Sequence, residues 1–222
     1  MLRPNSFKQK GLSLIELMLS ITLGLFLVLG LSTFMVNNMN FNATATRTVR
    51  LNDEMRAVMD FMANDIRRAG YWGAASSAIG STAVNPFSTI NTGTGCLLYS
   101  YDYDQNGSLT QTNSITDERF GFLLNTSNGS ILMRDPTSLN APSCSSSGIA
   151  AAISGKDWIP ITDPNEISVD ALNFTVVSTP SSTNLHVQIR TVQVIFSASL
   201  KKDSSVKQTL RETIAIRNDN YV

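Results

Sequence analysis

Apolar side chains run almost without interruption from Leu12 to Val36, and Glu16 is the one ionisable residue among them. Leu17 to Val36 alone is twenty residues. At ~1.5 Å rise per residue, a helix of that length spans the ~30 Å hydrocarbon core of a bilayer. Arg3, Lys8 and Lys10 precede the stretch with no acid among them. The positive-inside rule then leaves the N-terminus in the cytoplasm and exports the remainder. The run does not end at a small-residue cleavage site. It flows into VNNMNFNATATRTVRLNDEMRAVMDFM, which reads as further helix, so the apolar segment is retained.

Beyond the apolar stretch the pattern changes period. Leu51, Met55, Val58, Met62, Ile66 and Ala69 recur at spacings of four and three, an apolar stripe on one helical face. Arg50, Glu54, Asp60, Asn64 and Arg68 take the other faces, and Gly70 is the expected stop behind Arg67 and Arg68. The stripe lasts under three heptads, which favours packing on the protein's own sheet over a coiled coil. Residues 73–95 are rich in Gly, Ser and Thr and read as a long loop. After them come strand-like runs: CLLYSY, RFGFLL, SILMR, ISVDALNFTVVS, HVQIRTVQVIFSASL and KQTLRETIAIR. The fifth, with Val187, Ile189 and Ile195 on one face and Val192, Val194 and Phe196 on the other, turns apolar on both faces near its end, as a central strand does. The expected class is α+β: a long N-terminal helix laid on an antiparallel sheet, a lollipop. Its parts are a leader at 1–11, a transmembrane half of the helix at 12–36, an amphipathic half at 37–70 and a β-rich head at 71–222.

Composition narrows the setting. Seventeen basic and seventeen acidic side chains cancel, so no basic surface for nucleic acid is advertised. Only 15% of residues are charged, the look of an exported protein. Cys96 and Cys144 both lie in the distal part, as one disulfide in an oxidising compartment requires. Glu16 needs a cation, because an ionised carboxylate inside a membrane helix is costly and functional by default. Lys10, six positions back, is beyond helical pairing range. A cut after Gly11 creates an α-amine at Leu12, one turn from Glu16. That amine can pair with Glu16 of its own chain or of a neighbouring subunit.

KGLSLIELMLSITLGLFLVLG resembles the class III signal of type IV pilins: a short basic leader, Gly, a hydrophobic residue, then Glu at the fifth mature position. MRAVMDFMANDIRRAGYWG, CLLYSYDYDQNG, DERFGFLL and the terminal RETIAIRN resemble the PilW minor pilins. The resemblance covers most of the chain and is weakest over 74–95 and 140–165. It implies cleavage after Gly11 by a prepilin peptidase, N-methylation of Leu12, and assembly with other minor and major pilins through the stem helices. A PilY-type tip adhesin is a further implied partner. The mid-helix proline of many major pilins is missing, while Gly24 and Gly30 are present.

Two further features bear on chemistry. DYDQNGSLT matches the front of a D-x-[DN]-x-[DN]-G calcium loop, with Asp102, Asp104, Asn106 and the Ser108 carbonyl as ligands around the turn at Gly107. The bidentate acid belongs at the twelfth position, here Asn113; Asp117 and Glu118 arrive five residues late. A calcium site closed by Glu118 and a plain Asx-rich turn stand level. His186 is the only histidine, and G-x-S-x-G, H-E-x-x-H and phosphate-loop glycines are missing. The expectation is a non-catalytic minor pilin of the inner membrane, its head in the periplasm, that primes or caps type IV pili. A J-type pseudopilin of type II secretion and a membrane-anchored, calcium-dependent periplasmic binding module are the alternatives.

Overall fold

The computed structural model describes residues 11, 13–78, 84–110, 117–138, 140–145, 150, 157–181, 187–218 and 220–221. Helix α1, Leu14–Ile66, carries both halves of the apolar pattern. The chain divides into two compact units, Met1–Thr46 and Arg47–Val222, so the amphipathic part of α1 folds with the strands. Among the described residues, α1 is the one helix long and apolar enough to cross a membrane. Within the first unit several hydroxyls are satisfied locally: Ser20 Oγ donates to the Glu16 carbonyl at 2.6 Å and Thr33 Oγ1 to the Gly30 carbonyl at 2.9 Å. Back-bonding of this kind removes the cost of a polar group in hydrocarbon.

In the second unit the stripe is buried as its spacing predicts. Leu51, Met55, Val58, Met62, Ile66 and Ala69 are all core residues, joined by Met59 and Ala63. The helix ends where the chain turns at Gly70 (φ 76°), whose N–H donates to the Ser100 carbonyl at 2.8 Å. A Cβ there would also lie 2.5 Å from Arg190 Nη2, so glycine is required for conformation and for space.

The strands are β1 (Asn91–Gly93), β2 (Cys96–Ser100), β3 (Arg119–Asn125), β4 (Ser130–Arg134), β5 (Trp158–Pro160), β6 (Ile167–Pro180), β7 (Val187–Leu200), β8 (Asp203–Ala215) and β9 (Asn220–Tyr221). They form two antiparallel sheets where one was expected. The first is a meander, β1-β2-β3-β4-β5; in the second β7 is central between β6 and β8, and β9 also pairs with β7. The change of sheet falls at Asp163, whose carbonyl accepts the N–H groups of Glu166 and Ile167 and turns the chain into β6. The six strand-like runs correspond to β2, β3, β4, β6, β7 and β8. β1, β5 and β9 span two or three residues each and leave no alternation to read.

Both sheets contribute to one core with α1: Leu97, Tyr99, Phe122 and Ile131 from the first, Leu172, Val192, Val194 and Phe196 from the second. Because side chains alternate across a strand, Cys96, Leu98, Leu123 and Leu132 point the other way and build a second small cluster with Trp158. The predicted loop is not wholly irregular. It holds a 3-10 turn at Ala75–Ala78 and buries Phe87 completely, while 79–83 lie outside the described residues.

Candidate functional site

Two places carry the predicted functional residues. At the N-terminus, Gly11 is exposed and a Cβ added there would meet nothing within 4 Å. Leu12, the expected mature terminus, lies outside the described residues. Glu16 stands in the first turn of α1, and the Ser13 N–H donates to its Oε2 at 3.1 Å. Ser13 followed three residues later by Glu is the spacing of a capping box, in which the N3 carboxylate reaches back to the N-cap amide. That role is additional to the expected pairing with the Leu12 amine. The signal, S-x-x-E ahead of an apolar run, stood in the sequence. From Leu17 to Val36 every residue but the half-exposed Gly24 presents itself to the surroundings, with Phe26 and Phe34 at 76% and 68% exposure.

The second place is the segment between the cysteines. Cys96 and Cys144 form the expected disulfide, Cα atoms 5.6 Å apart and 48 positions apart in sequence. Within the interval it spans, the acidic loop is tied to the residues that follow α1. Asp102 Oδ2 accepts from the Gly73 N–H at 2.8 Å and the Gly107 N–H at 2.9 Å. The Asp102 N–H donates to the Tyr71 carbonyl, and Trp72 Nε1 donates to the Gly107 carbonyl at 2.9 Å. Asn106 accepts from the Ser108 N–H through Oδ1 and donates to Asp104, closing a short Asx turn around Gly107 (φ 80°).

Glu118 comes back to this loop although it is late for the standard ligand position. It is fully buried, with Oε1 accepting from the Tyr103 N–H at 2.8 Å and Oε2 from the Thr110 N–H at 2.9 Å. Asp102, Asp104 and Glu118 each place a carboxylate oxygen within 4.8 Å of the others. Burial pushes the Glu118 carboxyl up, and the nearby Asp104 charge adds to the rise against the backbone donors. Asp102 Oδ1 is buried and meets no hydrogen-bond donor among the described residues. Asn113 lies outside the described residues. Asp117 turns away from the loop to Arg134 Nη2 at 2.8 Å and Arg119 Nη2 at 2.5 Å.

Sequence reasoning missed a polar contact at the end of α1. Asp65 accepts from the hydroxyls of both Tyr99 and Tyr101, and the Arg68 guanidinium lies 4.1 Å over the Tyr101 ring. Burial, then the Asp65 charge, holds both phenols above their usual range. The i, i+3 spacing of Asp65 and Arg68 was visible; the tyrosines that meet them come from β2 and the residue just past it, thirty-odd positions on. His186 lies outside the described residues.

An apolar helix opening just after an exposed glycine, with one carboxylate in its first turn and an antiparallel β head, defines a membrane-anchored, prepilin-like protein. A family model described as the prokaryotic N-terminal methylation motif matches residues 6–32. The model of prepilin peptidase-dependent protein B matches residues 44–216, well over half the chain, and the chain belongs to that family. It is 26% identical over 164 residues to the prepilin peptidase-dependent protein B of Escherichia coli (strain K12), covering 73% of this chain and 75% of that one. No solved structure matches. The stretch DIRRAGYWG, noted above as PilW-like, falls inside the matched span, and RETIAIRN enters it as far as Ile216.

Proposed function

We propose that this protein is a PilW-type minor pilin, cut after Gly11, methylated on Leu12 and held in the inner membrane with its head in the periplasm until it primes or caps a type IV pilus. The observation that carries the reading is the apolar half of α1, wholly unburied from its capped start at Ser13 onward. Such a surface needs lipid before assembly and other apolar stems after it. The family's dependence on a prepilin peptidase supports the processing step. The head is non-catalytic in this reading: its buried carboxylates accept hydrogen bonds from backbone amides or arginines. Major and minor pilins are the partners, with a PilY-type adhesin at the tip.

The same signal and stem serve a J-type pseudopilin, the nearest rival. A deletion strain separates the two. Loss of surface pili with normal export of type II substrates supports the pilus reading, and the opposite result replaces it. Mass spectrometry of the mature chain then shows Leu12 as the methylated first residue.

A further inference from the structure

We propose that Asp102, Asp104 and Glu118 form a calcium site that clasps the segment following α1 to the acidic loop. The motif at 102–108 alone leaves a plain Asx turn as an equal reading, and two structural observations break that tie. The first is convergence. Glu118, outside the register of the twelve-residue loop, returns so that three carboxylate oxygens lie within 4.8 Å of one another. Oxygens that share one calcium at ~2.3–2.6 Å are separated by at most ~5.2 Å, so the spacing fits a single ion. The second is the buried Asp102 Oδ1, which no donor among the described residues meets. A plain turn leaves that oxygen both desolvated and unpaired, whereas buried polar groups are ordinarily satisfied. A cation supplies the missing partner.

The donor set selects the metal class. All three side chains offer hard oxygens, with no sulfur or imidazole in the group, which excludes the preferences of zinc and copper. Asp104 is exposed while Asp102 and Glu118 are buried, so the site has an open side by which an ion enters and keeps water ligands. Irregular oxygen geometry suits calcium, while magnesium demands a near-ideal octahedron and sheds water reluctantly. The backbone already binds the anions' second lone pairs: Tyr103 and Thr110 amides hold Glu118, and Gly73 and Gly107 amides hold Asp102. Donors on the far side of a ligating carboxylate orient it. Through Gly73 and Trp72, an ion at this site stiffens the junction between the stem helix and the head. The inference does not depend on the pilus reading, since the site lies wholly in the head.

The test uses the full chain in detergent micelles, stripped with a chelator and titrated with calcium chloride, with magnesium chloride in a parallel arm. Thermal midpoint and hydrogen exchange at Gly73, Tyr103, Gly107 and Thr110 are read together. Calcium should raise the midpoint saturably by several degrees, with half-effect at or below about 1 mM, the range of extracellular calcium modules. The four amides should slow, and magnesium should shift neither reading. Asp104→Asn changes an exposed ligand and should fold normally, yet weaken the calcium effect about tenfold or more; Asp102→Asn should abolish it. No calcium effect on the wild-type chain, equal effects of the two metals, or a wild-type titration in Asp104→Asn would each overturn the proposal.

Discussion

Phe26 and Phe196 are the same residue in two halves of one protein, and they meet opposite fates. Phe26, on the apolar part of α1, is 76% exposed; Phe196, on the central strand of the second sheet, is fully buried. The head unit encloses its apolar side chains by itself, with Met62, Ile66, Phe122 and Val192 all buried. Among its described residues, the first unit encloses none of its own. Apolar composition therefore does opposite work in the two regions. In the head it drives folding of one chain; in the stem it is surface for lipid and for neighbouring stems.

That contrast can be broken most strongly at the two phenylalanines. Phe196→Ala leaves a cavity in a closed core and should cost about 3–5 kcal/mol of head stability. Phe26→Ala should leave head stability unchanged, and should lower incorporation into pili instead. Both tryptophans, Trp72 and Trp158, lie beyond Thr46, so their fluorescence during denaturation of the full chain in micelles reports the head alone. Equal losses from the two variants would show that the stem's apolar half contributes to folding of the head.

Next in size is the disulfide. Closing a loop across 48 positions contributes up to about 4 kcal/mol on the chain-entropy model. Cys96→Ser with Cys144→Ser should lower the thermal midpoint under oxidising conditions and erase the effect of reductant on the wild-type chain. Membrane insertion should not change, because no cysteine lies in the first unit.

The two regions also differed in how much could be read from sequence. The stem was legible because a helix projects its period directly onto sequence: every member of the predicted stripe from Leu51 to Ala69 is buried. The long strands were legible for the same reason, at period two. What escaped was non-local. The division into two sheets depends on the turn at Asp163, and the lid over the second small cluster comes from Trp158 and Cys144, far along the chain. At the acidic loop the sequence showed the right residues, but a linear count from Asp102 placed the closing acid at Asn113. Glu118 reaches the loop because β3 starts beside β2 and carries its own entry residue back to Tyr103. The separation of Asp117 from Glu118 was hidden as well, since neighbouring residues at a strand entrance point to opposite sides.

Asp117 gives a smaller, pH-dependent test of the head. Burial pushes its carboxyl up, but hydrogen bonds from the Arg119 side chain and backbone and from Arg134 outweigh that and hold it below the usual carboxylate range. A depressed folded-state value means the stabilisation is fully present above the unfolded carboxylate range, near pH ~4, and is lost as pH falls through the lower folded value. Wild-type stability should thus drop between about pH 4 and the acid limit as this group titrates. Asp117→Asn should be less stable at neutral pH and flatter across that window. A parallel fall in both chains would place the acid sensitivity elsewhere, Glu118 excepted: its raised value favours the folded state at low pH and works against the fall.

The smallest change in folding energy, and the sharpest test of the stem, is at Glu16. Its carboxylate has two separable properties. It accepts a hydrogen bond from the Ser13 N–H, a capping contact worth about 0.5–2 kcal/mol to a helix end. It also carries the one negative charge of the apolar stretch, available to the Leu12 amine that cleavage exposes. Cleavage removes Arg3, Lys8 and Lys10 and takes the formal charge from zero to −3, with fourteen basic against seventeen acidic side chains. In a bundle of stems that leaves Glu16 and the terminal amine as the charges needing each other. Glu16→Gln keeps an acceptor for Ser13 and discards the charge, while Glu16→Ala discards both. Both variants should insert normally, since the apolar span and leader charges are untouched. Gln should retain slow exchange at the Ser13 amide and Ala should not, yet both should lose crosslinking to partner stems and reduce pilus number together. Wild-type assembly in the Gln variant would assign Glu16 to helix capping alone, and a defect confined to Ala would say the same.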